Sequence, residues 1–168
     1  MTSHSLLFGL VVCAGIGCGL IGGLLFAFSN FVMKALSRQP PESGIRTMQA
    51  INVLILNPLF LVFFLGTALA ATALVVLSVL QSTHPGLPFL SAGCVLYVVG
   101  VFGATMALHV PRNNRLAALD PSTAEAARYW QSYVVEWTRW NHLRTAAALL
   151  AAACYMLALR QIRDALLP

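Results

Sequence analysis

Glu136-Trp137-Thr138-Arg139-Trp140-Asn141-His142-Leu143-Arg144-Thr145 runs without a break into residues 146–159, which are almost purely apolar. A helix of that composition enters a bilayer with its polar end first. Trp137, Trp140, Asn141 and Arg144 stand at i, i+3, i+4 and i+7, so on an α-helix they share one face. Tyr133 and Trp130 extend that face backwards. The face is expected to close one end of a small helical bundle, with the function located there.

Composition supports the bilayer. Of the 168 residues, 59% are hydrophobic and only 9% charged, with a mean hydropathy of +0.80. Soluble domains carry about 25% charged residues. A spanning helix needs about 20 apolar residues. Segments at about 5–33, 47–80, 89–110 and 124–160 use up the chain. The expected fold is therefore all-α: one integral membrane domain over 1–168, a four-helix transmembrane bundle running up-down-up-down. A longer polar connection precedes the last helix. The first segment is too long for a signal-peptide core and has no basic lead, so it reads as a retained helix.

The net charge of +5 would suggest nucleic acid in a soluble protein. Here basic residues gather in loops beside anionic lipid, and no nucleic-acid partner is expected. Lys34, Arg38, Arg46, Arg112, Arg115, Arg128, Arg139 and Arg144 fall at one end of the bundle, against Arg160 and Arg163 at the other. The positive-inside rule then places both polar connections in the cytoplasm and both termini outside, in a bacterial inner membrane. Cys13, Cys18, Cys94 and Cys154 lie inside apolar segments without C-x-x-C spacing and read as packing residues. Gly15, Gly19 and Gly23 repeat every four residues and leave a groove for a neighbouring helix, within the chain or in a homo-oligomer.

Antiparallel threading brings the end of segment one, the start of two, the end of three and the start of four to one membrane face. The unusual polar residues lie there: Asn30, Gln49, Asn52, Asn57, Thr105, His109, Asn113, Asn114, Asn141, His142 and Arg144. Polar groups in lipid converge on each other, on water or on a ligand. A one-ended polar pocket walled by Trp137, Trp140, Phe28, Phe31 and Phe60 is expected, suited to a small aromatic or lipid-like molecule. Pro58 is expected to bend segment two, and Pro111 to stop segment three with Arg112–Arg115 in an irregular turn. Ser122 or Thr123 should cap the last helix. His4 and His84 read as solvated. No metal is expected. His109 and His142 leave a haem or metal redox site open as an alternative, but no Glu-x-x-His, His-x-x-x-His or Cys cluster supports one.

Three strings resemble a known family: Asn57-Pro58, Val110-Pro-Arg-Asn-Asn-Arg-Leu116 and Trp137-Thr-Arg-Trp-Asn-His-Leu-Arg-Thr145. They are similar to the anthrone-oxygenase-like family of small four-helix membrane proteins, and the likeness runs from segment one to the end of segment four. Many members are of unknown function. The resemblance implies an oxidoreductase that converts an anthrone or quinol-type aromatic with O2 and no added cofactor. On that reading His109 is the base, Arg144 with Asn141 or Asn52 holds the developing oxyanion, and Trp137 and Trp140 stack on the ring. Asn30, Gln49, Asn57, Asn113 and Asn114 would complete the substrate pocket. A non-catalytic protein that binds lipid or quinone in the same pocket is the alternative from another class.

Overall fold

The computed structural model describes residues 3–80 and 86–164, and every regular element in them is helical. Residues 81–85, with His84, and the tail beyond 164 lie outside the described residues, as does the side chain of His4. Four stretches are long and apolar enough to cross a membrane: Leu7–Ser37, Pro58–Leu80, Leu87–Ala117 and Ala124–Arg163. The first packs on the second and fourth, and the third packs on the same two. The chain is an all-α membrane protein.

Helix α1 (Ser3–Ala27) continues through a π-helical turn, Phe28–Val32, into α2 (Met33–Ser37). After a turn, α3 (Pro41–Leu54) begins on Pro41, where a missing N–H leaves nothing unpaired. Glu42 and Arg46 pair across its first turn at 2.8 Å. The single helix expected over 47–80 is in fact two, because α4 (Pro58–Leu80) starts afresh after residues 55–57. Pro58 has no N–H to donate to the preceding turn. Asn57 fills the break: its Oδ1 accepts the Phe60 N–H at 3.0 Å and its Nδ2 donates to the Leu54 carbonyl at 3.0 Å.

The third span is α5 (Leu87–Val95), two π-helical stretches at Leu96–Gly103 and Thr105–His109, and α6 (Val110–Ala117). Pro111 does not stop this span. The Val110 N–H reaches back five residues to the Thr105 carbonyl, so the helix is already widened where the proline donor is missing. Arg112–Arg115 are helical, not irregular.

The fourth span belongs to α7 (Ala124–Asp164), 41 residues long. At 1.5 Å per residue it measures about 60 Å, twice the hydrocarbon thickness of about 30 Å, so its first turns project beyond the lipid. Its start is built as expected: the Thr123 hydroxyl accepts the Ala126 N–H at 3.2 Å. Just before it, Asp120 accepts the Ser122 N–H and hydroxyl, and these bonds hold its carboxyl below the usual range.

Two apolar cores form. One fills the middle of the bundle, with Val11, Leu74, Tyr97, Val101, Ala148 and Tyr155 fully enclosed. The other lies at the polar end, where Met33, Ile45, Met48, Leu116, Trp130 and Tyr133 come together from α2, α3, α6 and α7. The glycine groove differs from the expected spacing. Gly15 and Gly22 meet α7, where an added Cβ would stand 2.6 Å from Met156 and 3.0 Å from Leu149. Gly19 and Gly23 face open space. Seven residues, not four, return a helix to a buried neighbour here.

Candidate functional site

Arg144 sits at the centre of the polar end, 6% exposed. Its Nη1 donates to Thr105 Oγ1 at 3.0 Å and its Nη2 to Asn141 Oδ1 at 2.6 Å. Its Cζ lies 5.3 Å from the centre of the Trp137 ring. These partners are all neutral: the guanidinium charge is solvated by dipoles and a π face. Its Nε is buried without a partner. On insertion scales an arginine at the middle of a span costs about 2.5–3.5 kcal/mol, which this cage offsets.

Asn141 relays the network to the first span. Its Nδ2 donates to the Leu25 carbonyl at 2.7 Å and to Ser29 Oγ at 2.8 Å. Ser29 Oγ also lies 3.2 Å from Thr145 Oγ1, which donates to the Asn141 carbonyl. Thr145 returns to the face of Asn141 one helical turn later. Ser29 reaches the network from the π-helical turn. Neither hydroxyl stands out in the sequence, because serine and threonine in a span usually bond their own helix.

His109 is 1% exposed and edge-on to Trp137, with ring centres 5.0 Å apart. Its Nδ1 lies 3.5 Å from the Ala104 carbonyl and its Nε2 3.3 Å from the Trp137 carbonyl. Each ring nitrogen is therefore turned to a backbone acceptor. Trp137 itself is buried in the second core against Phe28, and its Nε1 donates to Asn113 Oδ1 at 3.2 Å. The same oxygen accepts the Tyr133 hydroxyl at 2.8 Å. Asn52 is half-buried beside this cluster, next to the Tyr133 hydroxyl. Gln49 ties α3 to the end of span three through the carbonyls of Leu116 and Leu119.

Four expected members stand apart. Asn57 is the exposed cap already described, and Asn114 is exposed on α6. Asn30 is exposed, because the π-helical turn points Ser29 inward in its place. Trp140 is half-buried at the rim with the Arg139 guanidinium 6.0 Å from its ring. Of the expected aromatic walls Phe28 and Trp137 meet, with ring centres 5.5 Å apart, but Phe31 is 59% exposed and Phe60 stacks on Phe64 toward the other core. The space foreseen as a pocket is filled by Trp130, Tyr133 and Trp137.

Hollows open instead along the sides. A groove of about 450 Å³ runs between the end of the first span and α7, lined by Ser29, Met33, Val134, Thr138, Arg139 and His142. Asn30, exposed outside the arginine cage, also lines this groove, as does Lys34. Ser29 carries the buried network to its wall, and Thr138 Oγ1 is buried there without a partner. A second groove of about 500 Å³ lies between α6 and α7, with Arg112, Arg115, Arg128, Tyr129, Glu125 and Glu136. A third, about 550 Å³, follows α3 past Arg46 and Gln49. Arg144, Asn141 and His109 line none of the three. His142 is exposed and His109 enclosed, so the two histidines do not share one hollow. Among the described residues, no three His, Cys, Asp or Glu side chains are grouped to hold a metal ion.

The sequence profile of the anthrone oxygenase family matches residues 59–154, more than half of the chain. The chain belongs to the anthrone oxygenase family. No curated protein and no solved structure matches it. The part matched to the anthrone oxygenase profile contains Thr105, His109, Asn113, Trp137, Asn141, His142 and Arg144. Ser29, Asn30, Gln49, Asn52 and Asn57 precede it. The anthrone oxygenase match thus covers the α7 side of the first groove and the arginine cage, and the first span supplies the other wall.

Proposed function

We propose that the chain is a membrane-embedded oxygenase that oxidises an electron-rich aromatic of the anthrone or quinol type with O2 in the groove beside Ser29 and His142, without an added cofactor. The observation that carries this is a largely apolar groove whose wall, at Ser29, is hydrogen-bonded to a buried arginine that has only neutral partners. An apolar groove open at the side takes a flat molecule from the bilayer. The bound molecule meets a chain of donors running Arg144, Asn141, Ser29. Arg144 polarises the Asn141 amide, and Asn141 donates to Ser29, which leaves the Ser29 hydrogen for Thr145 or for a ligand oxygen. Thr138 adds a second hydroxyl without a partner.

The chemistry needs little else. The CH2 of an anthrone is acidic for carbon because its anion is a delocalised phenolate. A base takes one proton, the anion passes an electron to O2, and the radical pair joins as a C–O bond. The resulting peroxide anion takes the proton back from the base. The hydroperoxide then loses its remaining C–H proton and, as the O–O bond breaks, hydroxide, which together make water and leave the new carbonyl. One O2 is consumed, and one quinone and one water are formed. His142 is the base in this reading, since its ring lines the groove while both nitrogens of His109 are turned to carbonyls. The hydroxyls stabilise the phenolate oxygen. With the basic end in the cytoplasm, the groove opens in the inner leaflet.

Purified protein in detergent, supplied with an anthrone and O2, tests this by oxygen uptake and quinone absorbance. The expected result is one O2 per quinone, with His142→Gln lowering kcat by about 100-fold or more. Tight binding without any quinone formed would identify a binding protein instead.

A further inference from the structure

The groove between α6 and α7 carries a charge arrangement that the oxidation chemistry does not use. Arg112, Arg115 and Arg128 converge there from two helices, with Glu125 and Glu136. Arg112 is committed: its Nε and Nη2 bond Glu136 at 3.0 and 2.9 Å, and its Nη1 donates to the Leu108 carbonyl at 2.6 Å. Glu136 is thereby neutralised. Arg115 is held flat on the Tyr129 ring, its Cζ 4.4 Å from the ring centre. Tyr129 is itself anchored, because its hydroxyl donates to the Arg112 carbonyl at 3.3 Å. Stacking fixes the guanidinium plane and leaves its N–H edge for an oxyanion. Arg128 enters the same hollow from α7, and neither it nor Arg115 forms an ion pair with Glu125.

The level of this groove in the fold selects its occupant. It begins at Pro111, where the third span leaves the apolar zone, and runs along the first turns of α7. Deeper on the third span, in the π-helical stretch that precedes α6, Met106 presents an exposed apolar side chain, 50% accessible. A molecule with an anionic head and apolar tails matches both levels. We infer that this groove is a binding site for the phosphate headgroup of an anionic phospholipid, with Arg115 and Arg128 as the recognising cations. The inference stands apart from the oxidation proposed for the other groove, and either can fail alone.

The test uses the full chain in nanodiscs of phosphatidylcholine with a minor fraction of phosphatidylglycerol, and native mass spectrometry counts the lipids retained. Wild type should retain phosphatidylglycerol in preference to phosphatidylcholine. Arg115→Gln/Arg128→Gln should lower that preference on the order of thirtyfold, from about one kcal/mol per arginine near the surface. Arg38→Gln/Arg46→Gln removes the same charge at the same end of the bundle and should leave the preference in place. Equal retention of the two lipids, or equal losses in both double variants, overturns the site. In a second arm, inorganic phosphate is added to protein in neutral detergent. If it binds wild type as tightly as the lipid does and the lipid adds nothing, the site is one for a free anion and the lipid assignment is overturned.

Discussion

Asn141 is the residue on which the polar end turns. It accepts from Arg144 on one side and donates to Leu25 and Ser29 on the other. Asn141→Leu removes the amide that links the cage to Leu25 and Ser29 of the first span and leaves Nη2 of a buried cation without its acceptor. The expected loss of stability is about 2–3 kcal/mol, read from unfolding in mixed micelles. Asn114→Ala, on an exposed amide, should change it by less than about 0.5 kcal/mol. The contrast shows what spacing reveals. Trp137, Asn141 and Arg144 share a buried face, as their i, i+4 and i+7 positions require. Depth and partners are not visible in spacing, so the sequence weighs His109 and Asn30 equally with Asn141. One has its ring nitrogens on backbone carbonyls, and the other is turned out by a π-helical turn that periodicity of 3.6 does not foresee.

At the scale of helices, close approach decides what is tolerated. Gly44 on α3 lies against α2 and α7: an added Cβ would meet the Leu36 carbonyl at 2.9 Å and the Trp130 ring at 3.0 Å. A backbone oxygen cannot swing aside. Gly44→Ala should therefore destabilise by about 1–3 kcal/mol in the same unfolding assay. Gly23→Ala points into open space and should change stability by less than about 0.5 kcal/mol. The four spans are legible in the sequence because a stretch of apolar residues long enough to cross lipid has few alternatives. The joint at Asn57 is half legible: Pro58 announces a disturbance, but whether the chain bends or breaks depends on Asn57 capping the new helix. Pro111 was the harder case. Widening of the preceding turn lets that helix run on, and nothing in the local composition signals it.

For the whole molecule, the up-down arrangement gathers one end of every span on the same side, with most of the cations. The positive-inside rule predicts a cytoplasmic location for that end, so Asn114→Cys should stay unlabelled by a membrane-impermeant maleimide in intact bacterial cells and label after lysis. Labelling in intact cells would invert the orientation. On the function proposed above, activity at this scale comes from joining a bilayer-facing groove to a buried charge through Asn141 and Ser29. A dihydroxyanthraquinone, whose absorption changes when a phenol ionises, reports on that junction by spectrophotometric titration of the dye bound to purified protein. Bound to wild type, its phenol should ionise about one pH unit or more below its value on Ser29→Ala, because the donor chain favours the phenolate. Identical titrations for the two proteins would contradict a link between the arginine cage and the groove.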